Sequence, residues 1–146
     1  MLRDRSLIPL SQQHHNGLSL CVLTERSLRE DSSVANVAKL ARKAIDRYEL
    51  ELANHFEIEE TILFPTVANH SLIPGLISEH RQLEALVGRL QEEPTAALLL
   101  EFTALLRTHI RREENELFEH IQRMLPREQL DSLGSEIDAK AVRICL

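Results

Sequence analysis

The stretch HFEIEETILF, at residues 55–64, returns as HIRREENELF at residues 109–118. Both copies follow the pattern His-x-x-x-Glu-Glu-x-x-Leu-Phe. Four residues make slightly more than one turn of an α-helix, so the His and the first Glu of each copy lie on the same helix face. The repeat therefore predicts two helices that each present one imidazole and one carboxylate. These pairs are His55 with Glu59 and His109 with Glu113.

The composition around this repeat is that of a helical globular protein. The chain has 146 residues, of which 43% are hydrophobic and 27% charged. Four glycines and five prolines leave few helix breakers, and only 3% of the residues are aromatic. Leu and Ala, both good helix formers, dominate the apolar set. We therefore predict an all-α fold, with residues 1–146 forming one domain whose core covers about residues 11–125.

Net charge, hydrophobic runs and cysteine content indicate which partners and which cellular compartment to expect. The net charge is −6, and basic residues are interleaved with acidic ones, so no nucleic-acid partner is expected. No apolar run reaches transmembrane length and the polar start MLRDRS does not read as a signal peptide, which favours a cytoplasmic protein without a membrane partner. Two cysteines form no disulfide framework. Cys21 is predicted to be a small core residue, and Cys145 to be exposed.

Prolines, glycines and capping residues divide the chain into four long helices and a short terminal one. The long helices are predicted at about residues 11–30, 34–64, 74–93 and 94–125, and the second is expected to end fully by Asn69. Ser11 is the predicted N-cap of the first helix, after an extended arm over residues 1–10. Pro126 opens the terminal helix and Gly134 closes it. Residues 135–146 are predicted to be a weaker segment.

Hydrophobic periodicity predicts how these helices pack. In the second helix, steps of four and three residues connect apolar positions, and the same steps reach the His and Glu of the repeat. That series is Ala41, Ile45, Tyr48, Leu52, His55, Glu59 and Ile62. Comparable stripes in the other helices include His15, His80 and His109. Four such stripes with short connections are typical of an antiparallel up-down four-helix bundle.

Polar groups on these inner stripes predict a metal site. Burying a His or Glu is unfavourable unless the group is paired or bound to a metal. Imidazole nitrogens and carboxylate oxygens suit iron, and a carboxylate can bridge two cations. Because no cysteine lies among the candidate ligands, a thiolate zinc site is disfavoured. The predicted ligands are His15, His55, Glu59, His80, His109 and Glu113.

At these positions the chain resembles the hemerythrin-like family, also called HHE cation-binding domains, in its bacterial single-domain form. The resemblance is carried by HNGL at residues 15–18, HFEIE at 55–59, EHRQL at 79–83 and HIRREE at 109–114. It implies a four-helix bundle with two non-heme iron ions bridged by carboxylates and an oxo or hydroxo group. Such a centre would handle or sense dioxygen, nitric oxide or iron.

Several alternatives stay open beside the resemblance. His15 is preferred to His14 because it lies three residues before Leu18, as in the family pattern. Glu113 is preferred to Glu114, although some family members use the position of Glu114. Members that carry oxygen have a second histidine one turn before the third-helix ligand, where this chain has Leu76; the resemblance therefore implies an exchangeable position on one iron. A di-iron redox enzyme, an iron–sulfur cluster repair factor and a metal-free interaction bundle are the alternative functions, and the oligomeric state is left open.

Overall fold

A computed structural model describes residues 2–144 of the chain. These residues form five helices and no strand, which confirms the predicted all-α fold. A 3₁₀ turn at Phe64–Val67 follows the second helix. The helices are α1 (Ile8–Glu30), α2 (residues 34–63), α3 (Ile73–Glu92), α4 (residues 96–124) and α5 (Arg127–Lys140).

The two helices that carry the repeated motif contain π-helical turns. In α2 the α-helical segments Val34–Arg47 and Ala53–Ile58 are each followed by such a turn, at Tyr48–Leu52 and Glu59–Leu63. In α4 one π-helical turn separates two α-helical segments. These are Ala96–Arg112, the turn Glu113–Leu117, and Phe118–Met124. In both copies the π-helical turn thus begins at the first Glu of the motif. Such turns inside α-helices are frequent at functional sites.

The start of α1 differs from the prediction. The helix begins at Ile8, with Pro9 in its first turn, where a missing backbone N–H costs no hydrogen bond. The extended arm expected over residues 1–10 is therefore three residues too long, and Ser11 lies inside the helix. The predicted starts of α2 and α4 are close to those observed. The hydroxyls of Ser33 and Thr95 cap them by accepting hydrogen bonds from backbone N–H groups.

The terminal helix α5 also differs from the prediction. It continues through Gly134 as far as Lys140, and Ile137 is fully buried, so residues 135–140 are a packed part of the helix and not a weak segment. A Cβ atom at Gly134 would lie 2.9 Å from the Cα of Ser6. The glycine therefore allows the N-terminal segment to approach α5 closely, and it does not end the helix. Cys145 lies outside the described residues.

The four long helices contact one another in a closed ring, in which α1 packs on α2, α2 on α3, α3 on α4, and α4 on α1. This arrangement suits the predicted bundle, and the short connections suit its antiparallel order, which stays a prediction. Close packing of α1 on α4 uses Gly17, where a Cβ atom would lie 3.0 Å from Ile110 Cδ1. None of the helices described over residues 2–144 is long and apolar enough to cross a membrane.

Two apolar clusters fill the interior, and a polar layer lies between them. The larger cluster includes Cys21, as predicted, together with Phe56, Leu83 and Phe102. The smaller cluster includes Leu10, Leu76 and Phe118, and α5 extends it. Along every long helix, the larger cluster lies toward one end and the smaller toward the other, and the polar inner residues lie where the two clusters meet. The polar layer is therefore enclosed by hydrophobic packing above and below, which keeps water away from it.

Candidate metal centre

Six buried side chains converge in the polar layer, and each is at most 3% exposed. They are His14, His55, His80, His109, Glu59 and Glu113. Their ligand atoms form two overlapping groups, and within each group these atoms lie within 4.8 Å of one another. We define the first ligand group as His14 and His55 with the two glutamates. The second ligand group is His80 and His109 with the same two glutamates. Five of the six residues are those predicted from the sequence.

The sixth predicted residue, His15, lies outside this cluster, and its neighbour His14 occupies the expected place. Neighbouring residues on a helix are rotated by about 100°, so only one of the two histidines can face the centre. Leu10, His14, Gly17 and Cys21 are buried and follow steps of four, three and four residues. This is the true inner stripe of α1. His15 is exposed and lies beside a surface cleft between α1 and α2.

The two glutamates each reach histidines of both ligand groups. Glu59 Oε2 lies 3.2 Å from His55 Nε2, and Glu59 Oε1 lies 3.0 Å from His80 Nε2. Glu113 Oε1 lies 2.9 Å from His14 Nε2 and 3.3 Å from His109 Nε2. Both carboxylates therefore stand where they can bridge two cations, one in each ligand group.

All four histidines use their second ring nitrogen in the same way. Each Nδ1 faces an oxygen outside the centre, at 2.6–2.8 Å. The pairs are His14 with Glu114, His55 with Gln13, His80 with Glu60 and His109 with Glu79. Carboxylate and amide oxygens only accept hydrogen bonds, so each Nδ1–H donates. When a ring is neutral, its Nε2 is therefore left with a lone pair directed at the centre, the tautomer that metal-bound histidines use.

The repeated motif supplies residues around the centre as well as within it. In the first copy, Glu60 accepts from His80, and the ring of Phe64 stacks on the same imidazole at 5.8 Å. In the second copy, Glu114 accepts from His14, and Phe118 stacks on that ring at 5.1 Å. The second Glu and the final Phe of each copy thus hold a histidine on a neighbouring helix. Glu114 therefore lies outside the inner set, and Glu113 is the inner glutamate of the second copy.

Arginines neutralise the outer carboxylates. Arg81 pairs with Glu60, and Arg112 pairs with Glu79. Arg3, from the segment before α1, pairs with Glu114 at 3.1 Å. Each outer glutamate thus lies between an arginine and a histidine, and these two contacts fix its carboxylate as the acceptor of the imidazole Nδ1–H. Sequence reasoning missed this outer layer. The signal was available in the residue that follows each inner Glu and the residue that precedes His14 and His80.

Polar atoms at the centre lack partners in the described part of the chain. His55 Nε2, Glu59 Oε2 and Glu113 Oε2 are buried and make no hydrogen bond. His80 Nε2 and His109 Nε2 face each other at 3.1 Å, although both Nδ1 atoms already carry the donated protons. Inward lone pairs and carboxylates at such short range repel one another unless a cation lies among them. The donor set therefore fits a bound metal.

Without a metal, protons must supply part of that positive charge. Burial lowers the pKa of His80 to about 3, so this imidazole is neutral. Burial also opposes charging of His109, but the Glu113 carboxylate outweighs it and raises the pKa of His109 to about 9. The pKa of Glu59 is raised well above its usual value by burial and by the charge of Glu113. Metal binding must therefore displace protons from this cluster.

Leu76 lies one turn before His80 on the same face of α3 and is fully buried in the smaller apolar cluster. The residue one turn before His80 is therefore apolar and adds no ligand atom to the second ligand group. The remaining histidines of the sequence pair elsewhere: His70 and His120 contact each other edge to face, with ring centroids 4.5 Å apart.

Comparison with known proteins agrees with this geometry. The sequence pattern of the hemerythrin HHE cation binding domain matches residues 10–121, a range that contains all six inner side chains and all four outer acceptors. No curated protein and no solved structure matches the chain significantly. Because the matched range covers well over half of its 146 residues, the chain belongs to the hemerythrin HHE cation-binding family.

Proposed function

We propose that this protein binds two iron ions in the polar layer and uses them to handle or sense a small molecule, dioxygen or nitric oxide. The first ligand group holds one ion and the second ligand group holds the other, with Glu59 and Glu113 shared. The observation that carries the proposal is the set of four inward Nε2 atoms around two buried carboxylates. The proposal replaces His15 by His14 as the α1 ligand.

The donor set favours iron over other metals. Structural zinc sites are typically closed by four ligands, often thiolates, and no thiol lies among the residues of the centre. Two imidazoles with a carboxylate, and with positions left open, are typical of non-heme iron sites that react with oxygen. Each ligand group supplies such a set and leaves room for an exchangeable ligand. When bound, the iron pair would supply one-electron chemistry and open positions for a diatomic ligand. The surrounding apolar clusters would exclude bulk water from it.

The proposal is tested by loading the purified chain with Fe²⁺ under anaerobic conditions and counting the iron retained after gel filtration. We expect about two ions per chain in the native protein. His14→Ala should retain about one or fewer, since it removes a ligand of the first group. His15→Ala is the matched control and should retain the native amount. Retention of no iron by the native chain, or equal losses in the two variants, would contradict the proposal.

Leu76 bears on what the loaded protein does with oxygen. Because no additional histidine fills the position near the second ligand group, we expect direct oxidation by dioxygen to a ferric state. The absorption spectrum after mixing Fe²⁺-loaded protein with oxygen should therefore stay unchanged when the oxygen is pumped away. A spectrum that reverts under vacuum would indicate reversible oxygen carriage instead.

A further inference from the structure

The two ligand groups are related by an approximate internal repeat. The motif in α2 corresponds to the motif in α4, and the pair Gln13-His14 in α1 corresponds to Glu79-His80 in α3. Both halves place an acceptor one residue before a histidine ligand. That acceptor receives the Nδ1–H of the histidine that begins the motif of an adjacent helix, at 2.8 Å in each case. The acceptors differ: Glu79 offers a carboxylate to His109, and Gln13 offers a neutral amide to His55.

The surroundings of each acceptor maintain this difference. Gln13 Nε2 donates to Asn54 Oδ1 at 3.1 Å and to the backbone carbonyl of Val142 at 3.0 Å. Both partners present oxygens, so a carboxylate at residue 13 would turn its second oxygen toward two acceptors. Glu79 instead pairs with Arg112. In the other copy of the motif, the position that corresponds to Arg112 is occupied by Ile58, which is 2% exposed.

The terminal segments add a second asymmetry. His14 is held by Glu114, whose arginine partner is Arg3 in the segment before α1. His55 is held by Gln13, which donates to Val142 in the segment after α5. Both histidines of the first ligand group therefore depend on residues outside the four long helices. Both histidines of the second ligand group are supported from within α2, α3 and α4.

From these contacts we infer that the two metal positions are unequal, and that Gln13 is a positioning residue that sets the difference. The second ligand group binds its ion first and more tightly, and the first ligand group holds the weaker, exchangeable ion. A charged acceptor behind an imidazole makes the other ring nitrogen a stronger donor and fixes the ring, and the loss of such a partner typically weakens metal affinity about 10–100-fold. The inference rests on the proposed function.

The test is an anaerobic Fe²⁺ titration in competition with a chromophoric chelator, with melting temperature and helical content recorded for every variant. The native chain should bind iron in two resolved steps that differ by about tenfold or more in affinity. His55→Ala should remove the weaker step, and His109→Ala the tighter one. The reverse assignment, or two equal steps in the native chain, would overturn the inference.

Two opposing substitutions examine the outer acceptors directly. Gln13→Ala should lower the affinity of only the weaker step, by about 10–100-fold, and so increase the difference in affinity between the two steps. Glu79→Gln should lower the affinity of only the tighter step and so reduce the difference in affinity between the two steps. The matched controls Gln12→Ala and Glu92→Gln change exposed side chains on α1 and α3 and should leave both steps unchanged.

These variants also separate the inference from the function on which it rests. Fewer than two ions bound by the native chain would refute the proposed function itself. Two ions whose steps respond equally to Gln13→Ala would refute only the role of Gln13. If Gln13→Ala lowers the melting temperature without loosening the weaker step, its contact with His55 is merely structural and the inference fails.

Discussion

On the α3 side of the centre, the outer glutamates of the second ligand group pair with Arg81 and Arg112, both on long helices of the bundle. On the α1 side, the outer acceptors reach Arg3 and Val142, which lie before the first helix and after the last. The two sides have nearly the same inner side chains, but the residues that hold the outer acceptors in place differ. Chemically similar metal positions can therefore differ in affinity through residues that never touch the metal.

The largest expected effect is a difference in iron binding between variants of the inner and the outer glutamate in the second motif copy. Glu113 contacts histidines of both ligand groups, so Glu113→Ala should abolish tight binding of both ions. Among the four inner histidines, Glu114 contacts only His14, so Glu114→Ala should loosen the first ligand group by about 10–100-fold and spare the second. Metal analysis and chelator competition distinguish the loss of both ions from the weakening of one. A complete loss in Glu114→Ala with retention in Glu113→Ala would reverse the assignment of the inner residue.

The second expectation is a pH dependence. The pKa of His109 in the metal-free fold is raised to about 9 from 6.5, so this ring is protonated at neutral pH and must lose its proton to bind a metal. The affinity for Fe²⁺ should therefore fall as pH falls below about 9, by roughly tenfold per pH unit for this one proton. Proton release into a weakly buffered indicator solution at pH 7 measures the same event. Binding without proton release at pH 7 would contradict the assigned charges.

The same shift predicts a change in the stability of the metal-free protein. A pKa that is raised in the fold means that folding favours the protonated imidazole. The resulting stabilisation is fully present below pH 6.5 and is lost as pH rises through about 9. Urea unfolding of metal-free protein from pH 6 to pH 10 should show this decline. The matched comparison is His109→Ala, in which the decline over that range should be smaller.

A third expectation concerns the docking of the N-terminal segment. Gly134→Ala would place a Cβ atom 2.9 Å from the backbone of Ser6 and should destabilise the fold by about 1–3 kcal/mol. It should also loosen the first ligand group more than the second, because Arg3 lies on the displaced segment. Gly88→Ala is the control, since nothing lies within 4 Å of its added Cβ atom. Equal stability of the two variants in urea would show that Ser6 adjusts freely.

The smallest expected effect is that of Arg3 alone. Its pair with Glu114 is partly exposed, and such pairs are worth about 0.2–1 kcal/mol. Arg3→Ala should therefore loosen the weaker iron step by only about twofold to fivefold. Arg5→Ala, which breaks an exposed pair with Asp131, is the control and should leave both steps unchanged. A loss of the tighter step in Arg3→Ala would show that the N-terminal segment supports both positions.

Much of this arrangement could be predicted from the sequence, because hydrophobic periodicity identifies inner stripes and the metal ligands interrupt those stripes. The all-α fold and five inner residues followed from that pattern. His15 is predicted in place of His14 because the family pattern and a stripe through Leu18 both favour it, whereas the buried stripe of α1 runs through Leu10, His14, Gly17 and Cys21. That stripe includes small residues, whose burial is hard to recognise before the packing of α1 against α4 is known.

The outer acceptors could not be predicted for a different reason. A glutamate directly after another glutamate, such as Glu60, is rotated away from the inner face and looks solvated in sequence. Its role depends on the histidine of the neighbouring helix, hence on the relative heights of helices and on the π-helical turn that begins at Glu59. The prediction that Gly134 ends the terminal helix is wrong for a similar reason. The close approach of Ser6 explains this glycine, and that contact joins two distant parts of the chain.

The central claim is that two metal ions share Glu59 and Glu113 between four histidines. Iron K-edge X-ray absorption of the fully loaded protein tests it most directly. We predict nitrogen and oxygen neighbours with imidazole scattering, no sulfur, and a second iron within about 4 Å. In Glu113→Ala the iron–iron contribution should disappear. Native protein whose iron shows sulfur ligands, or no second iron at that distance, would contradict the account.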